Sequence, residues 1–209
     1  MAILIPTIPI PAAEASASYD FQDIEEGIGF VSFLAATTSG SKILTRRVVY
    51  SNDIGTYVTA LSGSHWKEID DDFDTAAFNL PRVLKGSALV SIPLAIQTQG
   101  TGERKFAYTI AEIKHWDGVT ETSLGRSTSG SYWRSHAGNG SGIFSGSQLH
   151  KIALTEKNFA EGDILRLTVE GYSIDGSNAG MEIGHDPKNR NSPNLLFSGP
   201  TELIADIPF

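Results

Sequence analysis

Leu165, Leu167 and Val169 alternate with Arg166, Thr168 and Glu170 in the stretch ILRLTVEGY. A period of two puts every other side chain on one face of an extended chain, which predicts a strand over 163–173 with one dry and one wet side. Apolar and β-branched runs elsewhere predict further strands at 27–36, 42–51, 54–63 and 88–97. Asn52-Asp53 reads as the turn of a hairpin between the second and third of these. Pro93 lacks a backbone donor, which predicts an edge position or a bulge for 88–97. Phe106, Tyr108 and Ile110 share one face of a strand that turns at Asp117-Gly118 and returns over 119–127. Segments 148–154, 180–185 and 202–208 complete the set.

Two stretches break the pattern. Residues 65–86 are polar and less periodic, which predicts a loop with at most a short helix ended by Pro81. Residues 129–147 are rich in Gly and Ser around Tyr132, Trp133 and Phe144, and read as a long loop or an interrupted strand. Roughly nine or ten short strands at about ten-residue spacing, with almost no helical period, predict an all-β fold: an antiparallel, jelly-roll-like β-sandwich over 19–209.

Residues 1–18 stand apart. Pro6, Pro9 and Pro11 impose extended geometry and remove backbone donors. The segment reads as an N-terminal arm. Its Ile3, Leu4, Ile5, Ile8 and Ile10 dock on a neighbouring subunit, lie on their own domain or belong to a disordered tail, the first being favoured because leaving them all in water is unfavourable. No positive n-region precedes them and prolines interrupt them, so no secretory signal is expected. No apolar run reaches the ~20 residues of a membrane helix.

Composition narrows the function classes. The net charge of −8 argues against nucleic acid as a partner. There is no cysteine, so disulfides and thiol chemistry are excluded. The charged fraction, 19%, is low for a soluble domain and fits either a surface that meets other protein or simply a turn-rich β-protein. The five histidines (65, 115, 136, 150, 185) show no zinc spacing. Glu68, Asp70, Asp71, Asp72 and Asp74 form an acidic run without the spacing or glycine of an EF-hand loop, and read as a solvated loop rather than a calcium site. GNGSG at 138–142 lacks the lysine of a phosphate-binding loop, and no G-x-S-x-G elbow occurs. Trp66, Trp116, Tyr132 and Trp133 sit in or beside predicted loops, where aromatics either pack inward or meet a partner. No cofactor and no metal are expected.

Several segments together resemble virion structural proteins of tailed bacteriophages: YDFQDIEEGIGFVSF (19–33), FNLPRVLKG (78–86), FAYTIAEIKHWDGVTETSLGRSTS (106–129), LTEKNFAEGDILRLTVEGY (154–172), HDPKNR (185–190) and the terminal IPF (207–209). HDPKNR preceded by LRLTVE is the most telling combination. The resemblance implies a non-enzymatic virion component, assembled in the host cytoplasm. A capsid decoration (cement) protein is the leading form, with the major capsid protein and other copies of itself (a trimer among the options) as partners. Neck, tail or fibre-associated proteins and a glycan-binding module using Tyr132 and Trp133 are the alternatives. His185, Asp186, Asn189 and Arg190 are then expected to form a structural turn tied by side-chain to backbone bonds.

Overall fold

A computed structural model describes residues 30–58, 66–99, 104–135, 141–174, 179–191 and 200–206. Among them are fourteen strands and no helix. In chain order these are β1 (Phe30–Thr38), β2 (Ser41–Thr45), β3 (Gly55–Val58), β4 (Trp66–Asp74), β5 (Arg82–Leu84), β6 (Ser87–Gln99) and β7 (Arg104–Trp116). There follow β8 (Glu121–Thr128), β9 (Tyr132–Ser135), β10 (Ser141–Ala153), β11 (Lys157–Phe159), β12 (Ile164–Ser173), β13 (Ala179–Gly184) and β14 (Glu202–Asp206).

One layer of the jelly-roll-like sandwich runs β3-β13-β6-β14-β1-β2, with β10 on the far side of β6. The other runs β4-β12-β7-β8, with β9 also on β7. A single parallel bridge, Ile43 to Asp74, joins the layers at one side. Between them lies one core to which β6 gives Val90, Ile92, Leu94 and Ile96, and β12 gives Leu165, Leu167 and Val169. The predicted alternation of β12 therefore holds in direction, with Arg166, Thr168 and Glu170 on the outer face, although Thr168 is buried there against Asp72. On β7 the dry face is Ala107, Thr109, Ala111 and Ile113. The Phe106–Tyr108–Ile110 face points away from the core. Tyr108 there stacks on Tyr172 of β12, ring centroids 4.9 Å apart and ring planes nearly parallel.

Three expectations need correction. The acidic run is strand β4, not a loop. Its cross-strand pairing with β12 runs from Arg166 opposite Asp74 to Ser173 opposite Trp66, and this ladder overrides the weak local signal. Asn52-Asp53 turns no hairpin, since β2 pairs with β1 and β4 while β3 pairs with β13. The hairpin forms one step earlier, at Ser39-Gly40, where both residues take positive φ. β6 is not an edge. β10 pairs along its whole length on one side, and β14 and β13 share the other. Pro93 falls in the gap, between the β14 pairing that ends at Ser91 and the β13 pairing that starts at Leu94. A missing N–H costs least there. Of the two readings of the Gly/Ser-rich stretch, the strand reading holds for its described residues, which give β9 and the start of β10. The Asp117-Gly118 turn between β7 and β8 forms as predicted, with Asp117 accepting from the amides of Val119 and Thr120.

The second closure of the sandwich is a backbone contact between β8 and β10. A Cβ on Gly125 would lie 2.5 Å from the Ala153 carbonyl oxygen and 2.7 Å from Ile152 Cγ2. Only a residue without a side chain lets these strands approach. Gly125→Ala should lower stability by about 1–3 kcal/mol, measured as a reduced urea midpoint. Gly130→Ala, where nothing lies within 4 Å, is the control. Equal midpoints for the two variants would refute the close-approach account.

Candidate functional site

The HDPKNR segment leaves β13 and folds at once into a turn. The Asp186 carboxylate is buried and organises it. It accepts from the amides of Lys188 (3.3 Å) and Arg190 (3.0 Å) and from Arg190 Nε (2.7 Å). Its own carbonyl accepts from the Asn189 amide at 2.8 Å, and Asn189 sits in the left-handed region, φ +48°. Asparagine tolerates that conformation better than most side chains do. Arg190 then reaches across to the Ser51 carbonyl (2.6 Å), its guanidinium 4.0 Å from the Tyr50 ring centroid. Burial opposes the charge on Asp186. The Arg190 side chain and the two amides outweigh it and hold the carboxyl below the usual range. The turn thus pins the end of β13 to the segment that precedes β3.

His185 points the other way, into the sandwich, and is 1% exposed. Thr37 Oγ1 lies 3.4 Å from Nδ1 and Thr56 Oγ1 lies 3.3 Å from Nε2. Thr56 also donates to Asp71, which Lys42 pairs with as well. Asp71 is 2% exposed, on the inner face of β4. A threonine, a histidine and an aspartate in one cluster suggest a proton relay, but the hydrogen count points elsewhere. The Thr56 hydroxyl has one proton, and it goes to Asp71. Nε2 of His185 must therefore be the N–H that donates to Thr56, leaving Nδ1 to accept from Thr37. In this arrangement His185 cannot take a proton from Thr56. The cluster instead ties β1, β2, β3, β4 and β13 at one end of the sandwich.

Burial pushes the His185 pKa down, with nearby Asp71 opposing, and His150 is lowered mainly by burial too. His150 lies 2.9 Å from Thr109 Oγ1 through Nε2. A third buried pair closes the opposite end: His115 Nε2 to Asp163 Oδ2 at 2.6 Å, with the Ala160 amide on the same oxygen at 2.8 Å. The bond to His115, then that to Ala160, holds Asp163 below the usual carboxylate range. His65 and His136 lie outside the described residues.

The remaining predicted site residues scatter. Tyr132 lies on β9 opposite Ala107, packs against the core and sets its ring edge against Gly146. Its expected role in a surface-contact loop is therefore corrected, because β9 pairing on β7 turns it inward. Trp133 lies opposite Phe106 on the same strand. The arm residues Ile3, Leu4, Ile5, Ile8 and Ile10 lie outside the described residues. The outward acids of β4 are engaged: Asp74 takes Arg166 of β12 bidentately (2.6 and 2.8 Å), and Asp70 takes Lys67 of its own strand. Among the described residues no three His, Asp or Glu converge as metal ligands.

Two surface features were not read from the sequence. The outer face of β6 and β10 carries Leu149 (71% exposed), Ile143 (43%) and Leu89 (40%), with Ser145 and Ser147 between and Lys151 as its one charge on β10. Alternation in SGIFSGSQLHKIA held that signal, masked by serine and glycine. The second is a cavity of about 370 Å³ beside the β1–β2 hairpin, with Val31, Phe33, Leu44 and Phe78 among its apolar lining and Arg46, Arg47 and Arg82 also lining it.

No protein-family model matches the chain, and no curated protein matches its sequence. Solved structures do match its fold. An aminopeptidase from a marine sediment Thaumarchaeota archaeon aligns with TM-score 0.54 at 8% identity, over 87% of this chain and 37% of its own. A CocE/NonD family hydrolase from Staphylococcus aureus aligns with TM-score 0.50 at 12% identity, over 86% and 37%. This chain thus spans little more than a third of those proteins, and at such identity the likeness is one of fold. It nevertheless overturns the expectation of a non-enzymatic chain: the sandwich shares its fold with part of these hydrolase chains. A chain of infectious bursal disease virus (Gx strain) aligns over 78% of this one at 10% identity, covering 38% of its own length, with a TM-score of 0.26, too low to carry an argument.

Two outcomes test the buried ties. Removing both partners of the Asp186–Arg190 pair should cost less than the sum of the single alanine variants, with a coupling of about 1–3 kcal/mol in a double-mutant cycle. Additive losses would show the turn is not held by this pair. For His185 and His150, a folded pKa below the unfolded value of about 6.5 means stability is full above that pH and falls as pH drops through the window beneath it. The depressed Asp163 and Asp186 act lower, below about pH 4. The unfolding midpoint should therefore decline from pH 7 to 5, and less steeply in His185→Gln. An unchanged slope in that variant and in His150→Gln would mean neither histidine is the sensor.

Proposed function

We propose that this chain is a structural component of a virus particle, a decoration protein that binds the major capsid protein and bridges its neighbouring copies. The observation that carries this reading is the outer face of β6 and β10. Three large apolar side chains stand in water there with serines between them. A face short of charge loses little on desolvation and suits a protein contact. The segments that resemble tailed-phage virion proteins support the same reading, and symmetry multiplies a weak contact of this kind into a firm one. The arm, through Ile3, Leu4, Ile5, Ile8 and Ile10, is a second contact in this proposal.

Purified protein mixed with capsids that lack it should bind stoichiometrically and raise their resistance to heat. Leu149→Asp combined with Leu89→Asp should weaken binding by about tenfold or more, which corresponds to roughly 1.4 kcal/mol, with the melting midpoint little changed. Undiminished capsid binding by that variant removes the face from the proposal, and no binding by the parent protein removes the decoration role.

The fold likeness favours a second reading: a β-sandwich module working with a hydrolase. Hydrolysis of a p-nitrophenyl ester or an aminoacyl anilide by the purified protein would move the assignment there.

A further inference from the structure

We propose that the cavity beside the β1–β2 hairpin is a binding site for an apolar carboxylate, a small molecule with a hydrocarbon body and one anionic head. The floor is built first. Val31 and Phe33 face inward from β1, Leu44 from β2, and all three are buried. The opposite wall, 75–78, is fixed by backbone bonds: the Thr75 amide donates to the Leu165 carbonyl (3.0 Å) and the Phe78 amide to the Asp163 carbonyl (2.9 Å). Phe78 is held further by an edge-on contact with Phe159, centroids 5.3 Å apart. The cavity is therefore formed before any ligand arrives, and its volume lies at the lower end of the range for small-molecule sites.

Charge selects the head group. The chain carries 24 acids against 16 bases, yet Arg46, Arg47 and Arg82 all line this one cavity. Arg46 and Arg47 make no ion pair with a described residue. A guanidinium fork matches a carboxylate in shape and loses less hydration than an ammonium when it binds. The wall argues against an extended peptide. With the Thr75 and Phe78 amides already bonded to β12 and the turn before it, that wall offers neither donor for an added strand. An apolar body on the floor with its carboxylate at the arginines uses both features at once, and it asks nothing of the β6–β10 face.

Isothermal titration of the full chain with octanoate, octanol and acetate separates the contributions. Octanoate should bind at least about tenfold more tightly than either of the others, since each lacks one half of the recognition. Arg46→Gln with Arg47→Gln should abolish that preference while leaving octanol binding and the melting midpoint unchanged. Should that pair unfold the protein, Arg82→Gln serves as the second variant, with the same expectation. Equal binding of octanol would reduce the cavity to an apolar hole, and equal binding of acetate would reduce it to a surface anion patch. Either result overturns the proposal, as does the absence of octanoate binding or an undiminished preference in the arginine variants.

Discussion

The pairing of β6 on both of its sides is the constraint on which the rest of the structure depends. Thirteen consecutive residues meet β10 on one side, while β14 and β13 divide the other. Its inner face is then forced to be dry, and Val90, Ile92, Leu94 and Ile96 supply it. Because its partners come from the middle and the end of the chain, β6 cannot complete its ladder until most of the chain is in place. Pro93 is tolerated only because two short strands, rather than one long one, complete the second side.

Polar side chains that the core cannot leave unpaired close the two ends. At one end Asp71, Thr56, His185, Thr37 and Lys42 join five strands, and Asp186 with Arg190 locks the segment that follows. At the other, His115 meets Asp163 under the edge of Phe159. Such groups cost free energy to bury, and breaking one leaves its partner stranded. Their effect is to specify which strand ends meet, a task that non-directional apolar packing performs poorly.

The two outer faces differ in kind. That of β4, β12, β7 and β8 is covered by cross-strand pairs such as Arg166 with Asp74 and Arg126 with Glu170, and by the stacked Tyr108 and Tyr172. That of β6 and β10 is apolar and nearly without charge. The first satisfies itself and the second does not, which is why the proposed capsid contact is placed on the second. The fold shared with larger hydrolases shows that such a sandwich can also form about a third of an enzyme chain. That likeness of fold was invisible to motif reading, because no nucleophile elbow or metal spacing accompanies it.

What the sequence determined by itself was the class of fold and the strands whose two faces differ in chemistry. The alternation in β12 and the Asp117-Gly118 turn were legible because local geometry alone dictates them. β4 was not legible, since a buried Asp71 between Ile69 and Phe73 breaks the apolar period that marks a dry face. Nor was the partner choice of β2 and β3, or the inward turn of Tyr132, because strand pairing is decided by distant segments competing for the same edge. The His185 cluster draws on Thr37, Lys42, Thr56 and Asp71, more than a hundred residues away. The arginine-lined cavity likewise joins a hairpin to a later loop. Only tertiary structure decides such meetings, because they depend on how two layers close over one core, and no local period records that.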